Sequence, residues 1–169
     1  ASSFVLIIKN DPKGWHEKMK KRLSQMMNWS FPLIIVLLFL SPHLFKVLFS
    51  EEYQLSALFF NIYLMLLLFR TWIGQSVLIA HHKTRKLLVL SISEMSLNII
   101  FSIVLGALFG IEGILWATVI AYAVHKGLLI LHLTRIENIR MNEIMPIRKY
   151  SIFSVIIVFG FIISYHLNF

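Results

Sequence analysis

Five long apolar runs, at 29–49, 54–80, 87–109, 113–132 and 150–167, carry most of the hydrophobic residues of this chain, and polar residues collect between them. At a rise of about 1.5 Å per residue, roughly 20 helical residues cross about 30 Å of hydrocarbon, so each run has the length of a transmembrane helix. A barrel strand would instead show roughly ten residues of alternating polarity, a period these runs lack. The pattern predicts an all-α fold, a polytopic transmembrane helix bundle of about five spans.

Ahead of the first span, Trp15, Met19, Leu23 and Met26 recur among Lys18, Lys20, Lys21 and Arg22. That spacing describes an amphipathic segment over 1–28, either lying on the inner membrane surface or simply leading into the span. The apolar start Phe4-Val5-Leu6-Ile7-Ile8, followed by Lys9-Asn10-Asp11-Pro12, suits the end of a preceding helix, because Pro12 disfavours helix at Asp11. The opening Ala1-Ser2-Ser3 lacks the marks of a secretory leader, and the chain is expected to be a piece of a larger protein.

Composition agrees with the pattern: 58% of residues are hydrophobic and 14% charged, so water is not the main solvent. The formal charge of +8 raises the question of nucleic acid, but the cations sit in clusters between spans rather than along one face, and no nucleic-acid partner is expected. Six Lys and Arg fall in 1–28, three in 81–86 and four in 133–149, whereas 50–53, 110–112 and the residues after 167 hold none. This alternation places 1–28, 81–86 and 133–149 in the cytoplasm.

Three cations remain inside spans, where an ionisable group needs a partner, a wet cavity or a route to the interface. Lys46 lies near a span end and can snorkel. Arg70 sits ten residues from Ala80, about 15 Å deep and close to mid-membrane. Ser56, Tyr63, Arg70 and Gly74 share one helix face, and Ser91, Glu94, Asn98, Ser102 and Gly106 share another, so both polar stripes are expected to face the bundle interior. Glu94 and Lys126 lie at similar depth, about 10 Å, on consecutive antiparallel spans, which allows an ion pair that is either simple neutralisation or part of a substrate or ion pathway. Arg70 and Asn98 likewise match in depth.

Gly113, Ala117 and Ala121 recur every four residues, the small-xxx-small spacing of close helix packing. Thr118, Tyr122 and Lys126 give a neighbouring face its polar character, with His125 beside them. Cysteine is absent, which excludes a thiol nucleophile, a thiolate metal site and disulfides. The spans hold one Glu, no Asp and no metalloprotease or serine-hydrolase motif, and His81-His82 sits in a basic loop. No metal, cofactor or enzymatic activity is therefore expected.

The stretch LLFLSPHLFKVLFSEEYQLSALFFNIYLMLLL, then AHHKTRK, then FGIEGILWATVIAYAV resembles, in that order, the polysaccharide-biosynthesis transporters. These are the lipid-linked oligosaccharide flippases of the superfamily that also holds multidrug extruders. The most specific piece is the turn and helix start at Phe109, Gly110, Gly113, Ala117 and Thr118. Departures are Ser50 where Gly is common and Ile114-Leu115 where small residues are usual. The resemblance covers residues 1 to 167 and implies the later part of a transporter whose two helical lobes enclose a cavity opening alternately to each membrane face. It implies a lipid-diphosphate-linked oligosaccharide as substrate, held by cationic cavity residues, with Arg70 and Lys126, and with them Asn98 and Tyr63, as the binding residues here. It also implies membrane lipid and the remaining helices of the transporter as partners, in a bacterial cytoplasmic membrane. Two other functions stay open: a cation-coupled extruder using Glu94, and a scaffold subunit whose Gly113, Ala117 and Ala121 face binds partner helices.

Overall fold

The computed structural model describes residues 2–11, 14–49, 54–72 and 74–168. Pro12, Lys13 and the 50–53 connection, with most of the LFSEEY turn, lie outside the described residues. Among those residues the chain is all-α without strands: α1 (Ser2–Asn10), α2 (Trp15–Phe49), α3 (Gln54–Arg70), α4 (Gly74–Ala80), α5 (Thr84–Arg135), α6 (Met141–Ile144) and α7 (Ile147–Asn168). Helices α2, α5 and α7 are each long and apolar enough to cross a membrane, and α3 with α4 forms a fourth candidate, a single span bent by 44°. The chain is an integral membrane protein, and the many exposed Leu, Ile, Val and Phe side chains of these helices are its contact with lipid.

Helix α5 has 52 residues, about 78 Å if straight, more than twice the hydrocarbon thickness. It is not straight. Gly110 has φ 63° and ψ −141°, a conformation that only glycine adopts without strain, and the helical pattern stops there. A Cβ added to Gly113 would lie 2.0 Å from the Leu105 carbonyl oxygen. Further along, His125 Nδ1 lies 3.1 Å from the Leu90 carbonyl oxygen. Residues 105 with 113 and 90 with 125 pair as antiparallel arms, 84–109 and 111–135, so α5 is a helical hairpin whose arms correspond to the two spans expected from the sequence.

Side-chain contacts fix the order of the remaining helices. Ser41 meets Asn61 and Phe45 meets Phe60, so α2 and α3 run antiparallel. Lys149 meets Ser24, Phe153 meets Phe31 and Ser164 meets the Leu38 carbonyl, so α7 runs parallel to α2. The three basic connections gather at one end of the bundle. There Trp15 contacts His81, Lys83 donates to Glu137, His16 lies 3.9 Å from Glu143, and Lys20 donates to the Asn142 carbonyl at 2.9 Å. One end is thus strongly basic and the other holds the Gly110 turn.

The amphipathic segment is not a separate surface helix: it is the first third of the 35-residue α2, which runs on through Pro32 and Pro42. Its buried positions are Trp15, Met19, Leu23 and Met27, whereas Met26, expected on that stripe, is exposed. The four-residue step continues to Phe31 and is followed by steps of three and four to Ile34 and Leu38, which keeps one face of α2 in the core along its length.

Pro42 explains the most buried polar group. Proline has no N–H, so the carbonyl four residues earlier, that of Leu38, loses its helical donor. Ser164 Oγ on α7 donates to it at 2.8 Å and Asn61 Nδ2 on α3 at 3.2 Å. Ser41 Oγ in turn donates to Asn61 Oδ1 at 2.6 Å. In hydrocarbon an unpaired carbonyl has no water to turn to, so the proline in α2 ties three helices to one backbone atom.

Candidate functional site at the broken span

The second span is interrupted between α3 and α4. Thr71 Oγ1 folds back to the Leu68 carbonyl at 2.7 Å, the Trp72 N–H donates to the Phe69 carbonyl at 3.1 Å, and the helix resumes at the buried Gly74. A Cβ at Gly74 would lie 2.7 Å from Leu133 Cδ1, so the second arm of α5 packs directly on the restart. Irregular backbone at membrane depth survives only where protein satisfies it, and two side chains do so here. Tyr150 donates from its hydroxyl to the Leu68 carbonyl at 3.2 Å, and Lys126 Nζ donates to the Trp72 carbonyl at 3.5 Å.

Around this break the structure assembles a polar cluster from three spans. Lys126 is 3% exposed, with its ammonium 5.0 Å from the centre of the Tyr122 ring one turn earlier. Arg70, the last residue of α3, stands near enough to Tyr122 and Lys126 for its charge to act on both. A cation at a helix C-terminus is favoured by the partial negative charge there. Glu94 also acts on the Lys126 charge through space, but its direct contact is with His125, whose Nδ1 lies 3.2 Å from the carboxylate. On the other side of the imidazole, Gln75 Nε2 lies 3.2 Å from Nε2, the arrangement of an amide donor and a ring-nitrogen acceptor.

The residues expected from the sequence are thus distributed unevenly. Arg70, Lys126 and Glu94 come together, although the Glu94 carboxylate touches the His125 ring rather than Lys126. Tyr63 and Arg70 share a face as expected, but that face is exposed, with Tyr63 at 45%, while Leu58, Asn61, Ile62 and Met65 take the interior positions of α3. Asn98 does not meet Arg70; it accepts a 3.2 Å hydrogen bond from Ser102 at the edge of the packed face of the first arm. Gly113, Ala117 and Ala121 are all buried, with Gly113 against the other arm of the hairpin.

Among the described residues, Lys126 lines only a small space. The space beside it, between Trp72, Gly74 and Leu129, holds about 10 Å³, room for at most one water molecule. Its ammonium reaches the broken backbone, whereas Arg70 is exposed. Sequence reasoning passed over Gln75 and the Ser41, Asn61 and Ser164 group. Asn61 carried a signal, a polar residue inside an apolar span, and Pro42 carried another by freeing the Leu38 carbonyl. Comparisons with protein-family models, with curated proteins and with solved structures find no match to this chain.

Proposed function

We propose that this chain is part of a membrane transporter that moves a polyprenyl-diphosphate-linked oligosaccharide across the bacterial cytoplasmic membrane for polysaccharide or O-antigen export, with the basic end of the bundle in the cytoplasm. The observation that carries the reading is the exposed Arg70 at a break in a span about 15 Å from its inner end, backed by Lys126. An open guanidinium at that depth is costly against lipid and suits a face turned to a polar ligand or a wet cavity. Its fork of donors matches the oxygens of a diphosphate. Discontinuous helices near the midplane are a recurrent way of building substrate sites in transporters. On this reading the face bearing Tyr63 and Arg70 looks toward the remaining helices of the transporter across the substrate path, and the excess of Lys and Arg at one end supports the orientation.

Complementation of a flippase-null strain by the full-length protein carrying Arg70→Ala tests this. Export falls strongly while the protein stays in the membrane, and Arg70→Lys recovers only the part due to charge. Unimpaired export by Arg70→Ala overturns the role of Arg70.

One observation favours a second reading, a cation-coupled extruder of drugs or metabolites: the contact of Glu94 with His125, itself held by Gln75, places an acid and an imidazole together at membrane depth. Transport by reconstituted protein that collapses with the proton or sodium gradient, and with Glu94→Gln, would favour this reading over the first.

A further inference from the structure

At the basic end, α6, the α6–α7 connection and the start of α7, with Lys20 of α2, line an open groove of about 660 Å³. Its polar wall is Lys20, Arg148 and Lys149 with the neutral Asn142, and its apolar wall includes Ile147, Ile152 and Phe153. No acidic side chain lines it. Lys20 spends one N–H on the Asn142 carbonyl, and Lys149 spends two possible directions on Ser24, its carbonyl at 3.3 Å and its hydroxyl at 2.8 Å. Each ammonium therefore has donors left, and the exposed Arg148 makes no hydrogen bond or ion pair among the described residues. The first turn of α7 adds the partial positive charge of a helix N-terminus to the same spot.

We propose that this groove binds one anionic phospholipid of the leaflet at the basic end, with the headgroup phosphate among Lys20, Arg148 and Lys149 and an acyl chain along Ile152 and Phe153. Charge and polarity change in the order a lipid requires. The cations stand at the level of the basic connections, where α7 begins, and Ile152 and Phe153 follow one turn deeper along the span. A soluble anion has no use for the apolar wall, and a zwitterionic lipid gains less from three cations with no acid among them. Basic pockets between transmembrane helices at a membrane surface are a known form of headgroup site. The inference is independent of what the protein transports.

Native mass spectrometry of the purified protein in neutral detergent tests it, with dioleoyl phosphatidylglycerol and dioleoyl phosphatidylcholine added separately. One phosphatidylglycerol is retained about tenfold more than phosphatidylcholine. Arg148→Gln lowers retention about fivefold, as expected for one surface cation. Arg148→Lys keeps most of it, and Arg85→Gln, which removes a cation from another connection, leaves it unchanged. Equal retention of the two lipids, or equal losses from Arg148→Gln and Arg85→Gln, overturns the site. Displacement of the lipid by millimolar inorganic phosphate also overturns it, because the apolar wall would then contribute nothing.

Discussion

Replacing Asn61 with alanine tests whether the Leu38 carbonyl organises the bundle. The substitution removes the 2.6 Å bond from Ser41, the 3.2 Å bond to the Leu38 carbonyl and a marginal 3.5 Å bond to Ser164 Oγ, while Ser164 at 2.8 Å and Ser41 at 3.4 Å still reach that oxygen. Interhelical hydrogen bonds in membrane proteins average about 0.6 kcal/mol and reach about 1.7, so two of them predict a loss of about 1–2 kcal/mol. That figure alone would not distinguish this account from a small packing defect. The distinguishing term is the coupling to Pro42. In a Pro42→Ala background residue 42 regains an N–H for the Leu38 carbonyl, so Asn61 has less to satisfy and its loss costs less. We expect Asn61→Ala to be milder there by about 0.6–1 kcal/mol, measured by a double-mutant cycle of unfolding titrations in mixed micelles followed by circular dichroism. Additive effects, within about 0.3 kcal/mol, would refute the reasoning, because the asparagine would then not answer the missing donor.

Gly113→Leu should open or misfold the hairpin, since even a Cβ there meets the Leu105 carbonyl at 2.0 Å; cross-linking of cysteines introduced at residues 105 and 114 should fall. Lys126→Leu leaves the Trp72 carbonyl without its ammonium and should destabilise the protein by about 1–3 kcal/mol, the usual range for an orphaned buried acceptor, read by thermal unfolding in detergent. Outside the membrane, the hydrogen bond from Lys83 holds the Glu137 carboxyl below the usual carboxylate range. A depressed folded-state pKa contributes stability above the unfolded value of about 4.5 that is lost as pH falls through the folded value. Glu137→Gln should therefore flatten the acid limb of a stability profile taken below about pH 5, and an unchanged limb would show that Glu137 contributes nothing to it.

Spans and connections were legible because length and polarity decide them: a run of apolar residues either reaches across hydrocarbon or does not. The turn at Gly110 was legible for a local reason, the glycines that start a new helix. The break between Arg70 and Gly74 was not, since no proline marks it and its polar residues, Arg70, Thr71, Gln75 and Ser76, sit inside one otherwise continuous apolar run. The inward faces were only partly legible. Lipid tails are as apolar as leucine, so a membrane helix need not be more hydrophobic on its buried side, and the shared face of Tyr63 and Arg70 could be seen without knowing that it points outward. His125 was a weak signal because its importance lies in Glu94, on the other arm of α5, and in Gln75, on α4. The Asn61 group stayed hidden for a similar reason: Ser164 lies 126 residues from the carbonyl it serves.

That separation bears on how the protein is made. A ribosome adds about 5–20 residues per second, so Ser164 emerges roughly 6–25 s after Leu38. Asn61, 23 residues downstream of Leu38, arrives roughly 1–5 s after it. On that timescale Asn61 can reach the carbonyl that Pro42 exposes well before Ser164 can, with only Ser41 of α2 itself, 3.4 Å from the oxygen, at hand earlier. Loss of Asn61 is therefore expected to lower the yield of membrane-inserted protein in cells more than it lowers the stability of the purified protein.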